Sequence, residues 1–293
     1  MKKLLLTGTV LFVLAAGVLL VGCGGDETPA GPKQIAFVFD YNSALTQAQA
    51  NNQNIVIDFY TDWCKWCKTL DTVTYVDSAV VAMSDNMVFA KINAEVDTAT
   101  AAKYSVTGYP TIIIARSDGT EIDRINGYLP GDEFIAEINN YLNGIGTLDY
   151  YLAIADTSES VDILMKIADK YYGRGENENA NMYYQKVVDA DPNNDNGFTS
   201  DARMQLAHIL RNGENYEEAI KNYTSIMNDY KGTPNSDDAE IYIAIAYRQM
   251  GDTLKAIDAF QGFIKNHPDS PDTSYALTQI EKLSNPEKTE EGL

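Results

Sequence analysis

The chain has 293 residues, 45% of them apolar, and carries 42 acidic against 22 basic side chains for a formal net charge of −20. Such an acidic excess excludes nucleic-acid binding, which needs a basic surface to displace counterions from phosphates, and the solubility of an exported protein accounts for it. The length is enough for two domains, each burying its own core. The chain opens on Lys2 and Lys3, and residues 4–20 are apolar apart from Thr7, Gly8, Thr9 and Gly17. This run closes on Leu20-Val21-Gly22-Cys23, and no second long apolar segment follows. It just reaches spanning length, so an uncleaved membrane helix is one reading; small residues and a cysteine at its border favour a cleaved export leader.

Leu20-Val21-Gly22-Cys23 resembles the lipobox of bacterial lipoprotein signals. That resemblance implies a signal peptide over 1–22, cleavage before Cys23 and lipidation of Cys23. The protein would then sit in the bacterial cell envelope, lipid-anchored to a membrane and facing the periplasm or exterior. Acyl chains partition at roughly 0.8 kcal/mol per buried methylene, so two or more hold a protein stably on a bilayer. Residues 23–34, with Gly24, Gly25, Pro29, Gly31 and Pro32, read as a flexible tether with no means of forming a core.

From 35 to 145 apolar strands alternate with amphipathic helices, the pattern of an α/β domain. The spacing predicts a strand over 35–39, a helix over 44–51, a strong strand over 55–60, a helix beginning at Cys64 and another over 78–83. A strand over 88–93, a short helix over 98–104 capped by Asp97, and a β-branched strand over 111–115 follow. Ser117-Asp118-Gly119 turns the chain into a strand over 121–125, and a helix over 132–142 closes the domain.

Cys64-Lys65-Trp66-Cys67 falls where the strand over 55–60 feeds a helix. There unpaired backbone N–H groups and the positive end of the helix dipole favour a thiolate over a thiol, so disulfide chemistry is the leading reading. A zinc site needs four ligands and no second cysteine pair exists. Covalent haem needs a histidine directly after the second cysteine, where Lys68 stands. A structural disulfide without turnover is the remaining alternative. Asp58 lies among Val56, Ile57 and Phe59, which predicts a poorly solvated carboxyl with a raised pKa.

Four motifs in order carry a resemblance to the thioredoxin superfamily: Ile57-Asp58-Phe59, Trp63-Cys64-Lys65-Trp66-Cys67-Lys68, Tyr104-Ser105-Val106-Thr107-Gly108-Tyr109-Pro110-Thr111, and Gly127-Tyr128. Within it the chain is similar to exported thioredoxin-related proteins and the C-terminal domain of the DsbD thiol transporter. It lacks the Gly-Pro that cytosolic thioredoxin carries between its cysteines. The resemblance implies that Cys64, the more exposed sulfur, attacks a client disulfide, that Cys67 resolves the mixed disulfide, and that Asp58 accepts the proton of Cys67. It also implies that Lys91 pairs with Asp58, and that Pro110 after Tyr109 is a cis-proline facing the cysteines and offering backbone to an extended substrate; a trans-proline opening a strand is the plain alternative. Trp63 is expected to pack under the active-site turn. Trp66 either offers substrate an apolar contact or lies on the surface, and Lys65 and Lys68 either add positive potential or are simply solvated.

After a linker over 146–159, strands vanish. Ala180, Ala219 and Ala256 align with Ala168, Ala207 and Ala244 twelve positions earlier and with Tyr184, Tyr223 and Phe260 four positions later. Gly175, Gly213 and Gly251 fall in the turns between helices. These rows resemble three tetratricopeptide repeats over 160–285, with a closing helix over 272–283 and a disordered tail over 286–293. The aligned alanines and aromatics are core positions. Met165, Asp169, Met204, His208, Arg211, Ile241 and Arg248 take inner-groove positions, and Arg211 and Arg248 occupy the same one, suited to a partner's acidic groups.

The fold class expected is therefore an α/β thioredoxin fold followed by an all-α repeat solenoid. The expected function is a membrane-anchored thiol-disulfide oxidoreductase working as reductase or isomerase. Its partners would be a disulfide-containing client protein, a membrane thiol or electron donor, and a protein docked in the repeat groove. No cofactor is expected, since no flavin or nicotinamide motif is present. The alternative is an envelope scaffold in which the repeats carry the function and the thioredoxin-like part docks or senses redox state.

Overall fold

In the first half, a four-stranded sheet is sandwiched between helices. The computed structural model describes residues 33–158 and 160–285. The leader 1–22, Cys23, most of the tether and the tail 286–293 lie outside them. The elements run α1 Tyr41–Asn51, β1 Asn54–Tyr60, α2 Lys65–Thr69, α3 Ser78–Met83, β2 Met87–Asn93, α4 Thr98–Lys103, β3 Thr111–Ala115, β4 Glu121–Asn126 and α5 Gly131–Leu142. A π-helical turn over Leu70–Thr74 extends α2. The sheet order is β2-β1-β3-β4, with β1 parallel to β2 and antiparallel to β3.

Alternation along the strands sorts two cores. Ile55, Ile57 and Phe59 of β1 join Val88, Ala90 and Ile92 of β2 under α1 and α4. Val56 and Phe89, with Ile112 and Ile114 of β3, face the opposite way, against Leu70, Val80 and the α5 residues Phe134 and Ile138. Asp58, two residues after Val56, belongs to this second face. Asp97 caps α4 as the sequence predicts, accepting from Thr100 N at 3.0 Å, and Asp77 caps α3, accepting from Ala79 N at 2.8 Å.

Two expectations are corrected. The strand over 35–39 shrinks to a single bridge, Val38 to Ala90, because only Val38 exchanges backbone bonds with β2 while Phe39 is turned to solvent. The stretch 146–159, read as a linker, carries helix α6 Leu148–Ala155, capped by Thr147. This helix precedes the first repeat row, so the repeat spacing gives no sign of it.

The second half stacks α7 Val161–Gly173, α8 Asn177–Ala190, α9 Phe198–Asn212, α10 Tyr216–Asp229, α11 Pro234–Met250, α12 Thr253–Asn266 and α13 Thr273–Ser284. All nine aligned repeat residues, from Ala168 to Phe260, are fully buried. Tyr184 donates its hydroxyl to Asp169 at 2.8 Å, and Tyr223 pairs with His208 Nδ1 at 2.6 Å. In the third repeat the hydroxyl is absent at Phe260, and the matching partner position is the apolar Ile245. Each of these hydroxyls thus has its hydrogen-bond partner, and the repeat without one has none to satisfy. The turn position that needs a left-handed backbone holds Gly175 and Gly251, but Glu214 in the middle repeat, at φ 63°; Gly213, one residue earlier, stays at negative φ.

The described residues from Gln34 to Asn285 pack as one compact unit. Its two halves are joined by charge. Asp123 of β4 is fully buried, accepting from Arg124 N at 2.7 Å and Leu148 N at 2.9 Å, and pairing with Lys170 at 3.1 Å and Arg174 at 3.4 Å. Arg124 reaches across to the carbonyl of Gly173 at 3.0 Å and is held by Glu121 at 2.6 Å. Among the described residues, no helix is long and apolar enough to cross a membrane.

Candidate active site

Cys64 and Cys67 are joined as a disulfide. Cys64 is the N-cap of α2, and its sulfur accepts from the backbone N–H of Cys67 at 3.1 Å. That donor, together with the other free N–H groups of the first turn, favours negative charge on Cys64 Sγ once the pair is reduced. Both cysteines are buried as residues, Cys64 at 4% and Cys67 at 2% exposure.

The Tyr109–Pro110 peptide is cis. Gly127 N donates to Pro110 O at 2.8 Å and the β3–β4 ladder starts at Thr111, so residues 107–109 stand outside the sheet's pairing. Trp63 joins this loop to the cysteines. Contrary to expectation it does not pack beneath the turn: it is 67% exposed, donates Nε1 to Glu95 at 2.8 Å and sets its ring edge-on to Tyr109 at 5.8 Å. Trp66 is also exposed and stacks on Tyr128 at 5.5 Å. The residues next to Cys64 and Cys67 in the chain thus enter two aromatic pairs, Trp63 with Tyr109 and Trp66 with Tyr128. Lys65 and Lys68 are solvated.

Asp58 sits at zero exposure, and neither carboxylate oxygen has a hydrogen-bond partner. Burial pushes its pKa up to about 7, against the pull of Lys91 and with help from Asp71. Lys91 is its register partner across the parallel pair, with Nζ 3.7 Å from Asp58 Oδ2. The same ammonium is bonded to Asp71 and lies over the rings of Tyr60, Phe37 and Tyr75 at 5.0, 5.7 and 5.7 Å. The Tyr75 hydroxyl is buried without a hydrogen bond, and burial followed by the charge of Asp58 raises its pKa. Asp71, Tyr75 and Glu95 are site residues that the sequence reading misses, and Tyr128 enters it only within the Gly127-Tyr128 motif, with no role at the site. For two of them a signal exists: Cys67, Asp71 and Tyr75 recur every four residues, one face of a helix continued through the π turn.

Of the inner-groove positions, Asp169 and Arg211 line an open cleft, whereas Met204 and Ile241 are buried in the helical cores. Arg248 is engaged by Gln279 at 2.6 Å.

Residues 38–140 match the thioredoxin family model, 150–194 a tetratricopeptide-repeat model, and 204–291 the YfiO model, described as an outer membrane lipoprotein. The chain is 32% identical over 109 residues to the thiol:disulfide interchange protein DsbD of Pseudoalteromonas atlantica, a stretch that is 35% of this chain and 18% of that protein. It is 32% identical over 119 residues to the DsbD of Cronobacter sakazakii, 37% of this chain and 20% of that protein. The chain therefore spans about a fifth of the length of these curated relatives. Among solved structures, a mutant thioredoxin from Halobacterium salinarum aligns at 26% identity and TM-score 0.31, covering 38% of this chain and 94% of that one. A DsbH oxidoreductase aligns at 16% identity and TM-score 0.35, covering 41% and 93%.

Proposed function

We propose that this chain, a thioredoxin domain joined to tetratricopeptide repeats, is a thiol-disulfide oxidoreductase anchored to a membrane of the bacterial envelope and docking a protein through its repeats. The observation that carries the reading is the Trp63–Tyr109 ring contact, which ties the residue before Cys64 to the residue before cis-Pro110. That contact, with residues 107–109 outside the sheet's pairing, supports a loop backbone placed to meet a client whose cysteine Cys64 attacks.

In the reducing direction, the Cys64 thiolate attacks one sulfur of a client disulfide; a Cys64–client bond forms and the client's other sulfur leaves as a thiolate. Cys67 then attacks Cys64 Sγ, closing the Cys64–Cys67 bond and releasing the second client thiolate. Cys67 must lose its proton for that step. Asp58, with a pKa of about 7, is suited to take it at neutral pH, and Lys91 and Asp71 set how readily it does so. Two electrons have passed to the client, so an external dithiol has to restore the pair. A membrane thiol donor fills that role, in keeping with the similarity to DsbD proteins. Trp63, Trp66, Tyr109 and Pro110 contact the substrate.

Anchoring through Cys23 draws support from the lipobox-like border and from the match of residues 204–291 to an outer-membrane lipoprotein model. Replacing Cys23 with Ala should release the protein from the membrane fraction. The redox reading is tested with Cys67→Ser, which should accumulate clients disulfide-bonded to Cys64 on non-reducing gels; no trapped species in cells counts against it. The lipoprotein match also favours a second reading, a scaffold. A double Cys64→Ser, Cys67→Ser chain that restores every phenotype of a deletion would establish the scaffold and remove the enzyme.

A further inference from the structure

A cleft of about 980 Å³ opens between the thioredoxin domain and the repeats. That is the upper end of the ~300–1,000 Å³ usual for ligand sites. One wall is the cis-proline loop, residues 107–110; the other is helical and includes Tyr172, Gln205, Arg211 and Asn212. The loop that offers its backbone to an extended chain therefore continues into the repeat surface without a break.

Arg211 is the informative residue of the helical wall. Arg174 and Arg203 are paired with carboxylates, Arg248 with the Gln279 amide. Arg211 donates to the Asn212 amide oxygen at 3.0 Å and lies over the Tyr242 ring at 5.0 Å, but it has no carboxylate partner and its Nε is buried with no hydrogen bond. Its neighbour His208 stays neutral, since burial and Arg211 together hold its pKa down at about 4. The acids of the cleft are otherwise accounted for: Asp169 takes the Tyr184 hydroxyl, and Glu214 is exposed. A guanidinium held on an aromatic face, with no carboxylate partner among the described residues, suits a planar anion at its terminal nitrogens.

We propose that this cleft is where the client lies: an extended polypeptide whose cysteine is presented to Cys64 runs along residues 107–109 and sets an acidic side chain on Arg211. The inference rests on the oxidoreductase reading and gives that enzyme its selectivity. The surplus of negative charge on the chain, with Asp169 and Glu214 lining this same cleft, repels acidic segments in general, so a carboxylate is accepted where it meets Arg211 and disfavoured around it.

The test uses the reduced full chain and synthetic peptides, each with one cysteine capped as a methyl disulfide and one glutamate walked along successive positions. Matched peptides carry glutamine or lysine instead, and 2-hydroxyethyl disulfide serves as the small neutral substrate. At the favoured position the glutamate peptide should be reduced with kcat/KM about tenfold above its glutamine twin, as one charge-assisted hydrogen bond allows. Arg211→Gln should erase that ratio, Arg211→Glu should turn it towards lysine, and Arg116→Gln, at an exposed position outside the cleft, should keep it. If the wild type reduces 2-hydroxyethyl disulfide but shows no glutamate preference at any position, or if Arg211→Gln retains one, the cleft assignment is overturned and the enzyme stands. If 2-hydroxyethyl disulfide is not reduced at all, the oxidoreductase reading falls and takes this inference with it.

Discussion

Asp58 and Asp123 are both fully buried, one beneath the candidate active site and the other where the two halves meet, and their surroundings are opposite. Asp123 has two backbone donors and two cations; Asp58 has a lysine at 3.7 Å and not one hydrogen bond. The unmet oxygens of Asp58 are joined in the same region by the hydroxyls of Thr61 and Tyr75. Burial by itself therefore does not decide what a carboxyl does. Supplied with donors, it fastens two domains; denied them, it becomes a group that gains and loses a proton near neutrality.

The contrast is most exposed to challenge at Asp123. Asp123→Ala leaves Lys170 without its anion and Arg174 with only Glu121 at 3.8 Å, and removing one member of a buried pair costs about 3–5 kcal/mol. Urea unfolding should show that loss, and a loss below about 1 kcal/mol would mean that the junction is not held by this charge. Asp58→Asn should act in the other direction, and with pH. Below pH 3.8 Asp58 is protonated whether the chain is folded or not. As pH rises from there to about 7, the unfolded chain gives up the proton and the folded one keeps it, so stability falls through this window and levels off above it. The full effect is of the order of 4 kcal/mol. The stability of Asp58→Asn relative to the parent should therefore climb between about pH 4 and pH 8, and an unchanging difference would refute the raised pKa. The smallest effect concerns the repeats, where hydroxyls are matched to acceptors. Phe260→Tyr puts a hydroxyl opposite Ile245 and should cost about 1–3 kcal/mol in the same unfolding assay; a neutral result would show that the pairing in the first two repeats is incidental.

What could be read from the sequence follows the same division. The repeat core was legible because small and aromatic residues recur at fixed offsets, and all nine aligned positions are buried. The α/β domain was legible because apolar strands alternate with amphipathic helices along the chain and Asp97 marks a helix start. Tertiary detail was not. Whether Val38 bridges the sheet alone depends on where β2 ends up, and Trp63, expected beneath the active-site turn, is held at the surface by Glu95 and Tyr109. Asp71 and Tyr75 are ordinary helix residues until the fold brings Lys91 across from β2. The neighbours of Asp58 in the chain announce a dry site; which donors it lacks is a property of the assembled pocket.

All of the redox chemistry proposed for this chain requires that Cys64 be held ionised by the helix it caps. Alkylation of the reduced full chain with iodoacetamide across pH, followed by mass spectrometry of the Cys64 peptide, measures that ionisation at the sulfur itself. The rate should reach half its maximum below about pH 7.5, under the ~8.5 of an ordinary thiol. A Cys64 that titrates at about 8.5 or above, or that stays unmodified at neutral pH, would contradict it.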